Sequence, residues 1–146
     1  MGRDKILLLD NGKKNANIFF QYIKEQIQRE FGNFEIVYEQ KPSFNKPIAP
    51  SRFENNNICS VLTGPAEWPA CASWSIHDLA TLKQLGVDNL NLICTAGFEV
   101  YLKALAKSRG LEGLNLIIIE KALADSDQPV LFELSQKIFP YIKLAE

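Results

Sequence analysis

The feature that most constrains this chain is a regular alternation of short apolar segments with longer amphipathic ones. Strands that alternate with helices pair in parallel, because right-handed crossovers return the chain to the same sheet and place helices on both of its faces. The sequence therefore predicts a single α/β domain over residues 1–146, built on a doubly wound, five-stranded parallel sheet. A flavodoxin-like or Rossmann-like three-layer sandwich with the strand order 2-1-3-4-5 is expected.

The predicted elements follow from hydrophobic periodicity and from signals at their ends. Strands are predicted at residues 5–10, 34–38, 58–63, 90–94 and 114–119, and helices at residues 16–31, 75–85, 98–108 and 129–142. Asn15 is predicted to cap the first helix, and Pro129 suits the first turn of the last one. Residues 40–57 contain three prolines and a run of asparagines, which predicts an irregular connection.

Composition restricts the classes of partner. The chain has 47% hydrophobic and 23% charged residues, a formal net charge of -1 and no Lys/Arg block, which argues against nucleic-acid or anionic-membrane binding. The start at residues 1–4 lacks the apolar region of a signal peptide and no later apolar run has membrane-spanning length, so neither a signal peptide nor a membrane span is expected. A cytoplasmic protein that acts on a small-molecule substrate is the expectation.

One loop, residues 63–78, concentrates the reactive side chains, since it contains both tryptophans, the only histidine and one of three cysteines. Cys71 precedes the predicted helix start at Ser75, where unpaired N–H groups and the helix dipole favour a thiolate. Cys71 is therefore the candidate nucleophile, with His77 as base and Asp78 as its orienting group. The alternatives are a small buried thiol, a packed imidazole and a structural Ser75-x-x-Asp78 capping box.

Further candidates come from the rule that doubly wound sheets bind ligands beyond the carboxyl ends of the strands, at the switch point between strands one and three. The loop 10–15 offers a carboxylate, amides and ammonium groups before a helix, a common place for an anionic ligand group, although a solvated turn would look the same. The predicted substrate-binding residues at this edge are Asp10, Asn11, Lys13, Asn15, Thr63, Gly64, Trp68, Ser75, Cys94, Thr95, Phe98 and Lys121.

Neither a metal nor a cofactor is predicted. The three cysteines form no Cys-x-x-Cys pair and a single histidine is present, which is too few ligands for a structural zinc site. Neither glycine-rich phosphate-binding pattern occurs, so a nucleotide cofactor has no support. Trp68 and Trp74 either form an apolar wall for a ligand or pin the loop to the core.

At these residues the chain resembles the UGSC-motif family, small α/β proteins named for a selenocysteine (or cysteine)-Gly-Ser-Cys tetrad. That family is more distantly similar to the selenoprotein component of glycine, betaine and proline reductases. The resemblance covers nearly the whole chain. It rests on the segment Leu8-Leu9-Asp10-Asn11-Gly12-Lys13-x-Asn15-Ala16, on Thr63-Gly64, on Cys71-x-x-x-Ser75-x-His77-Asp78, on Gly86 and on Cys94-Thr95-x-x-Phe98.

Two departures from the family pattern bear on function. Residues 68–71 are Trp-Pro-Ala-Cys in place of the tetrad, and residues 121–124 are Lys-Ala-Leu-Ala where family members show His-Pro-Leu-Gly. The resemblance therefore implies a retained pocket with a degenerate redox motif. Two functions fit: an enzyme that uses Cys71 and His77 on a carboxylated or thiol-bearing metabolite, or a non-catalytic subunit. Such a subunit would form a homo-oligomer or a heteromer with a related, intact family member.

Overall fold

The strands form one parallel sheet in the order β2-β1-β3-β4-β5, as predicted. The structure, a computed structural model, describes residues 5–54 and 56–144, so the prediction for residues 1–4 lies outside the described part. The strands are β1 (Lys5–Asp10), β2 (Glu35–Gln40), β3 (Ile58–Ala66), β4 (Asn89–Thr95) and β5 (Asn115–Ile119). Each pairs in parallel with its neighbours, so all five carboxyl ends reach the same edge.

Helices cover both faces of the sheet and give three layers. They are α1 (Ala16–Glu30), α2 (Pro69–Gln84), α3 (Glu99–Ser108) and α4 (Gln128–Ile138). Successive residues of β1 point to opposite faces, so Leu7 and Leu9 pack with α2 and α3, while Ile6 and Leu8 pack with α1 and α4. This two-sided burial explains why the sequence of β1 is apolar without alternation.

Three element ends differ from the prediction by three or more residues. Helix α2 begins at Pro69 and not near residue 75, because Pro69 occupies the first turn, where its missing N–H costs nothing. Strand β3 continues to Ala66, three residues beyond its predicted end. Helix α4 ends at Ile138 and gives way to a 3-10 turn at Phe139–Tyr141, whereas a helix to residue 142 was predicted.

At the amino edge of the sheet, polar side chains bind the segment that follows α4. Asn91 donates from Nδ2 to the carbonyl oxygens of Lys143 (2.9 Å) and Val61 (3.0 Å). Its Oδ1 accepts from the Lys143 N–H (2.8 Å) and from Asn115 Nδ2 (2.7 Å). Ser60 Oγ donates to the same Lys143 carbonyl at 2.6 Å. The buried amide of Asn91 is thus fully used in holding this segment.

Within residues 5–54 and 56–144, no helix is both long enough and apolar enough to cross a membrane.

Candidate functional site

The loop after β1 and the end of β3 are joined directly at the carboxyl edge. Asn11 donates from Nδ2 to the Pro65 carbonyl oxygen (2.8 Å) and from its backbone N–H to the Gly64 carbonyl oxygen (3.2 Å). Gly64 has a φ of 134°, and a Cβ there would lie 2.8 Å from the Ile93 carbonyl oxygen. Only glycine fits this close approach between strands. The predicted residues Asn11 and Gly64 therefore shape the edge through backbone contacts.

Asp10 is fully buried at the end of β1, whereas Gly12 and Lys14 of the same loop are exposed, so only part of this loop is the solvated turn considered from the sequence. Its Oδ1 accepts from the Gly12 N–H (2.8 Å), and its Oδ2 accepts from the Tyr38 hydroxyl (2.5 Å). Burial raises the pKa of Asp10 above its ordinary value, and these two hydrogen bonds oppose the rise. Burial, followed by the contact with Asp10, also raises the pKa of Tyr38. No pattern in the sequence singles out Tyr38.

The loop after β5 is fixed at Leu123, whose backbone is hydrogen-bonded by side chains from two other loops. The Glu67 carboxylate accepts a hydrogen bond from the Leu123 N–H. Asn15 donates from Nδ2 to the carbonyl oxygens of Leu123 (2.8 Å) and Ser126 (3.1 Å). Asn15 occupies the N-cap position of α1 but makes no side-chain capping bond, so the predicted capping role is wrong. Its amide instead fixes the distance between the two loops.

Glu67 is the most unusual group at this edge, and the sequence did not single it out. Only 8% of the Glu67 surface is exposed, and its Oε1 has no hydrogen-bond partner among the described residues. Burial raises the pKa of Glu67, while the Leu123 and Ala124 N–H groups and the charge of Lys13 oppose the rise. A buried carboxyl with a free oxygen and a raised pKa is suited to proton transfer or to binding a hydrogen-bond donor. Its place directly after a strand end is the one sequence signal it offers.

Lys13 brings positive charge to the surface that it forms with Phe44, Glu67 and Trp68, called here the Lys13 crevice. Its Nζ lies 4.8 Å from the ring centre of Phe44 and 5.5 Å from that of Trp68, both cation-π distances. Trp68 is 61% exposed, so one large aromatic surface remains open beside the ammonium group. The structure therefore brings together two predicted residues, Lys13 and Trp68, with Phe44, which was not predicted.

Cys71 lies inside the first turn of α2 and not in a loop ahead of the helix. It is fully buried, and its Sγ accepts from the Trp68 N–H (3.3 Å) and donates to the Trp68 carbonyl oxygen (3.2 Å). The thiol therefore satisfies backbone groups where the helix begins, the alternative role of a small buried side chain. The predicted position of Cys71 ahead of the helix start is wrong, because the helix begins at Pro69.

His77 and Asp78 do not join Cys71. His77 lies six residues further along α2, about 9 Å up the helix axis, packs edge-to-face on Trp74 and accepts from Arg109 Nη2 at 3.4 Å. Asp78 is buried, and Lys41 Nζ (2.5 Å) and the Ile48 N–H (3.0 Å) donate to it. The proposed capping box is wrong as well, because these residues are in mid-helix. Lys41 was not predicted.

The remaining predicted residues are spread along the edge. Thr63 is buried and donates from Oγ1 to the Leu9 carbonyl oxygen (2.8 Å), and Ser75 is buried within α2. Cys94 is buried beside Ala66, and burial raises the pKa of its thiol to about 11, so it is a poor nucleophile at neutral pH. Three others lie further out along the edge: Thr95 and Phe98, both half-buried, and the exposed Lys121.

Among the residues that the structure describes, no group of three or more His, Cys, Asp or Glu side chains is placed to hold a metal ion. The fold and the polar carboxyl edge define a doubly wound α/β protein with a candidate functional site at its switch point. More specifically, the chain belongs to the UGSC family, whose family model matches residues 2–145. No match to the chain is found among curated proteins.

Proposed function

We propose that this UGSC-family chain binds a small carboxylated metabolite between the β1–α1 loop and the β3–α2 loop and acts on it by proton transfer. The observation that carries the proposal is the Lys13 ammonium group, held between the rings of Phe44 and Trp68 at the switch point of the sheet. A carboxylate would pair with this ammonium, and the open face of Trp68 would cover the apolar part of the ligand.

Glu67 supplies the group that exchanges a proton. Burial raises its pKa, so the neutral acid persists to a higher pH than that of an exposed glutamate. The neutral form can donate a proton to a bound carboxylate or carbonyl oxygen, and the ionised form can accept one. Chemistry at Cys71 with His77 stays a prediction, and the contacts of both side chains favour structural roles for them.

The test uses phenylacetate and its uncharged amide, phenylacetamide, as probes in binding titrations. Phenylacetate should bind the wild type more tightly, and Lys13→Gln should weaken it about tenfold, as expected for loss of a charge-assisted hydrogen bond. Lys14→Gln, which removes the same charge from the exposed neighbouring residue, is the matched control and should change affinity less than twofold. Equal binding of the two probes, or equal effects of the two variants, would contradict the proposal.

A second candidate function rests on the exposure of Trp68. An exposed tryptophan beside the exposed Pro69 and Ala70 is the type of side chain that anchors protein interfaces. The chain would then be a non-catalytic subunit that binds a family member with an intact tetrad. Co-purification with such a protein, lost in Trp68→Ala and retained in Lys13→Gln, would favour this function over metabolite binding.

A further inference from the structure

A separate cavity of about 280 Å³ lies beside β1 and β2, under the segment that joins β2 to β3. Its volume is close to the lower limit for ligand pockets, so it suits a small molecule. Most of its lining is apolar and comes from Leu9, Pro42, Pro47, Ile48 and Phe53. The cavity lies on the face of the sheet that packs against α2. None of the residues of the Lys13 crevice lines it.

The charged side chains that line this cavity are already paired. Lys41 Nζ donates to Asp78 Oδ2 at 2.5 Å, and the side chains are 4% and 1% exposed. Arg52 Nη2 donates to Glu39 Oε1 at 2.7 Å nearer the surface. An ionised ligand would add one uncompensated charge to a cavity with a mostly apolar lining, which is costly. The electrostatics therefore favour an uncharged ligand.

Lys41 nevertheless retains hydrogen-bonding capacity. An ammonium group carries three N–H donors, and within the described residues Asp78 is the acceptor that this one reaches. Because Lys41 is 95% buried, being 5% exposed, bulk water does not readily take the remaining donors. A ligand oxygen inside the cavity would accept one of these N–H groups without disturbing the ion pair.

We propose that this cavity binds a small, uncharged and largely apolar molecule with one hydrogen-bond acceptor, such as an aryl ketone, whose oxygen accepts from Lys41 Nζ. The apolar lining buries the body of the ligand, and Lys41 fixes its orientation. This site is independent of the function proposed for the Lys13 crevice.

The experiment titrates three probes of similar shape into the ¹⁵N-labelled full chain: acetophenone, ethylbenzene and benzoate. Acetophenone should shift the amide signals of Lys41, Ile48 and Phe53 and bind about fivefold more tightly than ethylbenzene, which has no acceptor. Benzoate should bind most weakly of the three. Tightest binding by benzoate, equal binding of the first two probes, or shifts confined to the Lys13 crevice would each overturn the proposal.

Two variants locate the site. Ala49→Trp, at an exposed lining position, should fill the cavity and abolish binding of acetophenone, whereas Ala96→Trp, an exposed position outside the cavity, should not. Combining Lys41→Met with Asp78→Asn removes both charges and keeps an acceptor for the Ile48 N–H. This double variant should bind acetophenone and ethylbenzene equally, and a retained fivefold preference would overturn the role of Lys41. If the double variant fails to fold, the comparison of Ala49→Trp with Ala96→Trp and the affinity ranking of the three probes still test the proposal.

Discussion

Two buried polar groups, Asn91 at the amino edge of the sheet and Glu67 at the carboxyl edge, differ in how fully their hydrogen bonds are made. At the amino edge, both ends of the Asn91 amide are bonded within the chain, to Lys143, Val61 and Asn115. At the carboxyl edge, Oε1 of the buried Glu67 has no partner among the described residues, and burial raises the pKa of this carboxyl. Buried groups with all their hydrogen bonds made are typical of parts of a protein that stabilise the fold. A buried carboxyl with an unpaired oxygen is typical of a site that binds a ligand or transfers a proton.

The largest effect is expected from Lys41→Met. This substitution tests whether a buried ion pair at the carboxyl edge stabilises the fold. This change strands the Asp78 carboxylate inside the protein, so the free energy of unfolding should fall by about 3 to 5 kcal/mol. Urea denaturation measures the change, with Lys103→Met as control. That control breaks the exposed pair with Glu99 and should cost less than about 1 kcal/mol. Equal losses would show that the Lys41–Asp78 pair is not effectively buried.

The next largest effect tests the amino edge. Asn91→Ala removes bonds to several buried groups at once, and the free energy of unfolding should fall by about 2 to 4 kcal/mol. Asn89→Ala, which removes one bond to the Cys59 carbonyl oxygen, should cost about 1 kcal/mol. Binding of phenylacetate at the other edge should be unchanged in both. A loss of phenylacetate binding in Asn91→Ala would contradict the view that Asn91 only stabilises the fold.

A smaller effect concerns pH. Burial raises the pKa of Glu67 above its ordinary value of 4.5, so the folded chain holds this proton more tightly than the unfolded chain. The resulting stability is fully present below the unfolded value and is lost as the pH rises through the folded value. Wild type should therefore gain stability relative to Glu67→Gln as the pH falls from neutral towards the unfolded value of 4.5. Denaturation curves across that range, with the exposed Glu112→Gln as control, measure it, and parallel curves would contradict it.

The smallest effect is expected from Trp68→Ala. With 61% of this residue exposed, the free energy of unfolding should change by about 0.5 kcal/mol or less, as for other surface substitutions. Thermal denaturation monitored by circular dichroism measures the change. A loss above about 2 kcal/mol would show that the ring supports the core and is not kept open for a ligand or partner.

Local patterns in the sequence were sufficient for the architecture. The two-sided apolar strand at Lys5–Asp10 and the helical periodicity after it are local signals, and the order of the strands follows from the handedness of their crossovers. The start of α2 was misplaced because Ser75-x-x-Asp78 matches a capping pattern by chance in mid-helix. Pro69, the actual start signal, follows a residue whose side chain makes no capping bond.

The candidate site was harder to predict because its decisive contacts join distant residues. Glu67 and Leu123 are 56 positions apart, and Lys41 and Asp78 are 37 apart, so no spacing rule connects either pair. Burial of Glu67 and of Cys71 depends equally on how the loops fold over one another. Lys13 and Trp68 were found because charge and aromatic size at a strand end are visible in the sequence itself.

The double attachment of Leu123 makes its backbone a natural sensor for this edge. Its N–H donates to Glu67 and its carbonyl oxygen accepts from Asn15. Leu123 is therefore hydrogen-bonded to both loops that border the Lys13 crevice. The proton on that nitrogen should therefore give an NMR resonance that moves when Glu67 gains or loses a proton, and again when a ligand reorients either loop. An investigator could follow occupancy of the crevice in unmodified protein from that single signal, without attaching a dye or knowing the natural ligand.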